Sequence, residues 1–101
     1  MRGLAELEEH DRHFAALSHR SRRAVLLVLH ANGGTMTSGA IAQRFDCTWQ
    51  TTSRHLRILE EAGLIHASLR GRERIYQLDT KRLATLTTDF VERFNHPASA
   101  P

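Results

Sequence analysis

The sequence predicts a mainly α domain with a small β-hairpin: a winged helix-turn-helix of about five helices plus a two-stranded wing. Three observations predict it. Apolar residues recur at helical spacing along most of the chain, and its only two prolines, Pro97 and Pro101, stand at the very end. Two short helical stretches, residues 39–44 and 49–62, are joined by a tight turn, and the second is rich in polar and basic groups. After Gly63 the pattern changes to two short alternating runs, residues 64–70 and 74–78.

Each element has its own signals. The first helix carries Leu4, Leu7, Phe14 and Leu17 on one stripe, with Glu6, Glu8, Glu9 and Arg12 elsewhere. Ser18 and Ser21 are both able to cap the second helix, residues 22–31. There Ala24, Val25, Leu26, Leu27, Val28 and Leu29 put apolar groups on nearly all sides, so a central position is expected. Asn32-Gly33-Gly34 tolerates positive φ and stops that helix. Thr37 or Ser38 caps the short third helix, whose Ile41 and Ala42 face inward, and Thr48 caps the fourth. Gly63 stands where a helix ends in the left-handed region. Gly71-Arg72-Glu73 separates the strands, with Gly71 supplying a positive φ. Thr80 starts a last helix with Leu83, Leu86, Phe90 and Phe94 on one face. Residues 1–95 are read as one domain, and residues 96–101 as a disordered tail.

Composition narrows the function classes. A length of 101 residues suits a single domain of marginal stability. Its one cysteine, Cys47, excludes an internal disulfide and a multi-thiolate metal site. The longest apolar run, residues 24–29, is far short of the roughly 18 residues of a membrane span, and the first 14 residues are too acidic for a signal peptide. A soluble, cytoplasmic, nucleoid-associated protein is expected. Lys and Arg exceed Asp and Glu by 14 to 11, a net charge of +3 that permits a nucleic-acid partner. No carboxylate pair, nucleophile–base spacing or glycine-rich phosphate loop is found, so neither catalytic residues nor a cofactor are assigned.

The fourth helix carries the chemistry. Thr52, Leu56 and Leu59 are placed to pack inward, which leaves Gln50, Thr51, Ser53, Arg54 and Arg57 outward. Gln can pair with adenine, Arg with guanine, and a Thr methyl can touch a thymine methyl. Four of the six residues from Thr48 to Ser53 carry hydroxyls, which are poor helix formers unless they serve another purpose. Thr48 and His55 are assigned to the DNA backbone. Arg70, Arg72 and Arg74 in the hairpin are assigned to phosphates or a narrow minor groove. Taken alone, the hairpin arginines read equally well as a solvated turn.

Residues 14–18 (FAALS) and 21–26 (SRRAVL) resemble the start of the ArsR/SmtB family of bacterial winged-helix repressors. Residues 48–65 (TWQTTSRHLRILEEAGLI) resemble that family's recognition helix, and Arg70-Gly71-Arg72 leading into residues 75–78 its wing. The resemblance covers about residues 13–95 and is most specific over 53–65. It implies a homodimeric repressor on an operator overlapping a promoter. Two residues depart from the pattern. Trp49 stands where a small or polar residue is usual, and is expected to pack against the turn, with contact to a sugar or base methyl as the alternative. Arg20 replaces a proline common before the second helix.

The resemblance also raises metal sensing. One family site uses cysteines in the third helix, where residues 37–43 hold neither thiol nor imidazole. A second, on the last helix, would fall on Asp79, Lys81, Glu92 and Asn95, or in another alignment on Thr80, Arg82, Arg93 and His96. Neither set suits zinc, so no metal is assigned. His10 and His13 could join Asp89, Glu92 and His96 in a mixed site, but surface histidines on amphipathic helices are the expectation. Cys47 precedes the recognition helix, where a thiolate could be redox-responsive. A small, buried, inert cysteine is the expected alternative. His19, His30 and His66 show no partner.

The partners expected are a double-stranded DNA operator and a second copy of the chain. Leu4, Leu7, Phe14, Leu83, Leu86, Phe90 and Phe94 are assigned to a two-fold dimer interface between the terminal helices. Such pairing sets two recognition helices about 34 Å apart and predicts a near-palindromic operator. The rival readings are a winged helix that binds only protein, and a metal- or redox-responsive repressor with a non-standard site.

Overall fold

In the computed structural model, which describes residues 2–95, the chain runs α1 (Arg2–Leu17), α2 (Arg20–Ala31), β1 (Thr35–Thr37), α3 (Ser38–Ala42), α4 (Trp49–Glu61), β2 (Ile65–Arg70), β3 (Glu73–Leu78) and α5 (Thr80–Glu92). The tail at residues 96–101, read as disordered, lies outside the described residues. Five helices and the wing agree with the sequence reading. The addition is β1, which makes the wing the outer part of a three-stranded antiparallel sheet ordered β1-β3-β2. Thr35, Met36 and Thr37 pair with Gln77, Tyr76 and Ile75. Thr37 closes β1 and caps α3 as well, accepting from the Ala40 amide at 3.1 Å.

The wing turn is tighter than expected. Arg70 pairs with Glu73, so Gly71 and Arg72 alone form the turn and β3 begins one residue early. Gly71 has φ 64 and Arg72 a negative φ, the sign pattern of a type II′ hairpin turn, which matches the twist of the flanking strands.

The core forms where α2, α3, α4 and the sheet meet. Leu29, Ile41, Leu56, Leu59, Leu64 and Ile65 are fully buried, and Met36 and Tyr76 close it from the sheet. α2 is central over only part of its circumference: Leu27 is 69% exposed. Apolar residues on nearly every side of a helix therefore do not all find cover in a chain this short.

The α1–α2 junction departs from the expected serine caps. His19 caps α2, its Nδ1 accepting from the Ser21 amide at 3.1 Å, while Ser18 donates back to the Ala15 carbonyl at 2.7 Å. Two arginines close the end of α1. Arg22 Nε and Nη2 donate to the Ala16 and Ala15 carbonyls at 2.9 and 3.0 Å, and Arg23 Nη1 donates to Leu17 at 2.8 Å. Cationic donors on the last carbonyls of a helix satisfy orphan acceptors and oppose its dipole.

α5 lies against α1. Arg93 pairs with Glu6 at 2.7 Å and Arg82 with Glu9 at 3.7 Å. His10 and His13, expected at the surface, are buried between these helices. His10 meets Phe90 edge-on at 6.3 Å, and Phe14 meets Phe90 at 4.9 Å between ring centroids. Two of the residues assigned to a dimer interface are taken up within the chain. Leu86 is only 4% exposed, and Leu83 packs against the core, because that side of α5 faces the body of the protein. Phe14 is half-buried, whereas Leu4, Leu7, Phe90 and Phe94 stay exposed, joined by Val91, which the sequence reading missed.

Candidate nucleic-acid interface

The start of α4 is built from its hydroxyls. Thr48 Oγ1 accepts from the Thr51 amide at 3.2 Å and donates to the Thr51 hydroxyl at 3.1 Å. Thr52 is buried and shares a hydrogen bond with Cys47 Sγ at 3.1 Å. Part of the hydroxyl-rich composition is therefore accounted for by capping and by anchoring the preceding turn.

With Thr52, Leu56 and Leu59 buried, the opposite face of α4 is left to water. Gln50, Ser53, Arg54 and Arg57 line one open groove of about 340 Å³, with Trp49 at its end. Thr51 is exposed on the other flank of the helix, its hydroxyl tied to Thr48. The groove thus collects amide, hydroxyl and guanidinium donors, a set able to read base edges.

His55 stands apart from that groove. Its Nδ1 lies 3.1 Å from Arg22 Nη1, and its ring is 4.5 Å from that of His19. A guanidinium only donates, so Nδ1 accepts and the proton of the neutral ring sits on Nε2. Burial, His19, Arg22 and Arg54 all lower its pKa. The imidazole braces α4 against the α1–α2 junction.

The wing arginines are all exposed but do not share a face. Arg70 sits opposite Glu73, Arg74 opposite Leu69 on the other side of the sheet, and Arg72 at the turn. Interaction with the Tyr76 side chain, and after it the charge of Glu60, hold the pKa of the exposed Arg74 above its usual value.

Cys47, expected to be buried, is exposed. The turn turns Phe45 toward the core instead, where it is partly buried. Trp49 lies beside Ser38, Gly39 and Ala42 of α3 and remains 45% exposed.

The remaining histidines and the metal alignments resolve into local roles. His66 Nε2 lies 2.7 Å from Asp79 Oδ2, and Asp79 Oδ1 accepts from the Arg82 amide at 2.9 Å as the cap of α5. The His66 and Arg82 hydrogen bonds depress the Asp79 pKa. His30 borders a shallow depression with Gly33, Gly34 and Gln77. Among the described residues no group of three His, Cys, Asp or Glu is placed to hold a metal, and His96 lies outside them. No helix among them is long and apolar enough to cross a membrane.

Comparison with known proteins places this geometry. A helix-turn-helix domain family matches residues 17–66. An HTH-type transcriptional regulator of Mycobacterium tuberculosis is 36% identical over 84 residues, covering 83% of this chain and 76% of that protein. The transcriptional repressor SdpR of Bacillus subtilis is 39% identical over 67 residues, covering 66% of this chain and 72% of that protein. Among solved structures, an ArsR-like transcriptional regulator from a Rhodococcus species superposes with a TM-score of 0.75 at 27% identity, over 88% of this chain and 81% of the other. The chain belongs to the ArsR family of winged helix-turn-helix transcriptional regulators, proteins that are not enzymes.

Proposed function

We propose that the protein is a homodimeric repressor that reads a near-palindromic operator in double-stranded DNA. The observation that carries this reading is the convergence of Gln50, Ser53, Arg54 and Arg57 on one exposed groove of a helix whose other face is fully buried. Together with Thr51 they contact base edges and adjacent phosphates, while Thr48, Arg70, Arg72 and Arg74 hold the backbone. His55 serves the same interface through the recognition helix it braces. That SdpR is a transcriptional repressor supports the sign of the regulation. Exposed Leu4 and Leu7 on α1, Phe90 and Val91 on α5, and Phe94 just beyond it support two-fold pairing. Such a protein acts at the nucleoid, in the cytoplasm.

Selection of bound sites from random duplexes at physiological salt tests the proposal. A two-fold motif with half-sites one helical turn apart is the expected product. Weak, salt-sensitive binding with no enriched motif would reject it in favour of a protein-binding winged helix.

A further inference from the structure

Trp49 is the first residue of α4 and the chain's sole tryptophan, and its indole separates two dissimilar surfaces. On one side lies the polar groove of Gln50, Ser53, Arg54 and Arg57. On the other is a shallow, open and almost wholly apolar slot of about 290 Å³, bordered by Ser38, Gly39 and Ala42 of α3. A Cβ built on Gly39 would meet nothing within 4 Å, so the slot is open at that wall. Capping does not explain the indole, because Thr48 already supplies the cap. Core packing does not explain it either, since nearly half of it faces solvent.

Building on the DNA-reading proposal above, we infer that Trp49 and the slot beside it receive the C5-methyl of a thymine and make Trp49 a specificity-determining residue. In a helix-turn-helix the first helix crosses the DNA backbone, and the first residues of the second helix meet base edges. A slot between α3 and the start of α4 therefore opens toward the major groove. The apolar group that the major groove displays on its base pairs is the thymine methyl. The slot is continuous, across the indole, with the cationic face of Arg54 and Arg57, which a polyanion complements. A thymine seated there presents its methyl to the indole and Ala42 while its neighbours face Gln50 and Arg54. The selectivity is for A·T over G·C at one base pair of each half-site.

The test uses the duplex obtained by site selection, with each thymine replaced in turn by uracil. That exchange removes the methyl and keeps every hydrogen-bonding edge. For the unaltered protein, one position per half-site loses about fourfold in affinity on losing its methyl. For Trp49→Ala that penalty disappears, while penalties at all other positions are unchanged. Trp49→Gln, which keeps a long helix-compatible side chain, gives the same result, and circular dichroism of both variants establishes that the fold is kept. Tryptophan emission supplies an independent readout: it shifts on binding the thymine duplex and shifts less on the uracil duplex at the same position. Equal uracil penalties in the unaltered protein and the variants overturn the inference. So does a uniform loss of affinity in the variants with no methyl-dependent position, which would mean that the indole packs on a sugar or on the turn. Absence of selective binding by the unaltered protein overturns this inference and the DNA-reading proposal together.

Discussion

His13 donates to the Thr87 hydroxyl at 2.9 Å across the α1–α5 contact, and that bond settles the tautomer of a fully buried neutral imidazole. The Thr87 hydroxyl spends its own proton on the Leu83 carbonyl at 2.8 Å, so it can only accept from His13. Nε2 must carry the hydrogen, and Nδ1 is left as a buried lone pair with no partner. Burial first, then His10 and Arg82, lower the His13 pKa.

Stability should therefore fall on acidification. Unfolded, His13 titrates near its ordinary value of 6.5; folded, it titrates lower. As pH drops through about 6.5 the unfolded state takes up a proton that the folded state refuses, so stability is complete above that pH and declines below it. His55, also lowered, acts in the same window and direction. Asp79 adds an acid-side loss only as pH falls through its unfolded value near 3.8. Urea midpoints measured from about pH 7.5 to 5 should decrease, with a shallower slope in His13→Gln. A slope that this substitution does not change would show that His13 is not the group responsible.

Gly63 and Arg82 make a second sensitive point. Gly63 ends α4 at φ 77, and a Cβ there would run into the Arg82 side chain. Arg82 Nε is held by the Ala62 carbonyl at 2.9 Å, and its guanidinium reaches Glu9. Moving aside would break the contact that links the end of α4 to α5. Gly63→Ala should cost about 2 kcal/mol, combining left-handed strain with the displaced hydrogen bond. Arg82→Ala should partly suppress that cost in a double-mutant cycle, whereas strict additivity would show that the side chain yields freely.

Arg54 and Arg72 should behave differently on DNA. Arg54 lies in the groove of α4 and Arg72 at the turn of the wing. Arg54→Ala should cost about 1–3 kcal/mol on the selected site and relax preference at one base pair. Arg72→Ala should weaken all duplexes alike and reduce the salt slope by about one unit. Titrations of both variants against the selected and a scrambled duplex, at several salt concentrations, separate the two. A uniform loss for Arg54→Ala would move that residue to the backbone.

What the sequence showed and what it hid follow from how each residue meets its neighbours. The two faces of α4 were legible because Thr52, Leu56 and Leu59 separate from Gln50, Ser53, Arg54 and Arg57 at helical period, and burial follows that division. In α1 the hidden feature is the burial of His10 and His13, which sequence alone places at the surface. The inner face of that helix runs through Glu6, Glu9, His10, His13 and Ala16, because α5 offers Arg93, Arg82 and Thr87 as partners for polar groups. Leu4 and Leu7, assigned to a dimer face rather than to the core, remain exposed within the single chain. The spacing 6, 9, 10, 13 was itself a helical stripe, but only the partner helix shows that it is buried. β1 was hidden for a similar reason: three residues are too few to display a period, and their pairing depends on β3, about 40 residues later.

Leu86 within α5 and Phe94 just past its end allow dimerisation to be separated from folding. Phe94 is 74% exposed and touches Phe90 at 5.2 Å between centroids, so a charge at that position meets solvent within one protomer. Leu86, by contrast, is 4% exposed. Leu86→Ala should leave a cavity and destabilise the fold by about 2–5 kcal/mol. Phe94→Glu should leave the circular dichroism spectrum unchanged while burying a carboxylate in any two-fold contact through this face, which is strongly unfavourable. Sedimentation velocity should then show a monomer, and affinity for the two-half-site duplex should fall about a hundredfold or more, because the half-sites are no longer read by linked helices. Affinity for a single half-site should stay as it was. A Phe94→Glu protein that still sediments as a dimer would place the two-fold axis elsewhere, with the exposed Leu27 face of α2 the next surface to alter.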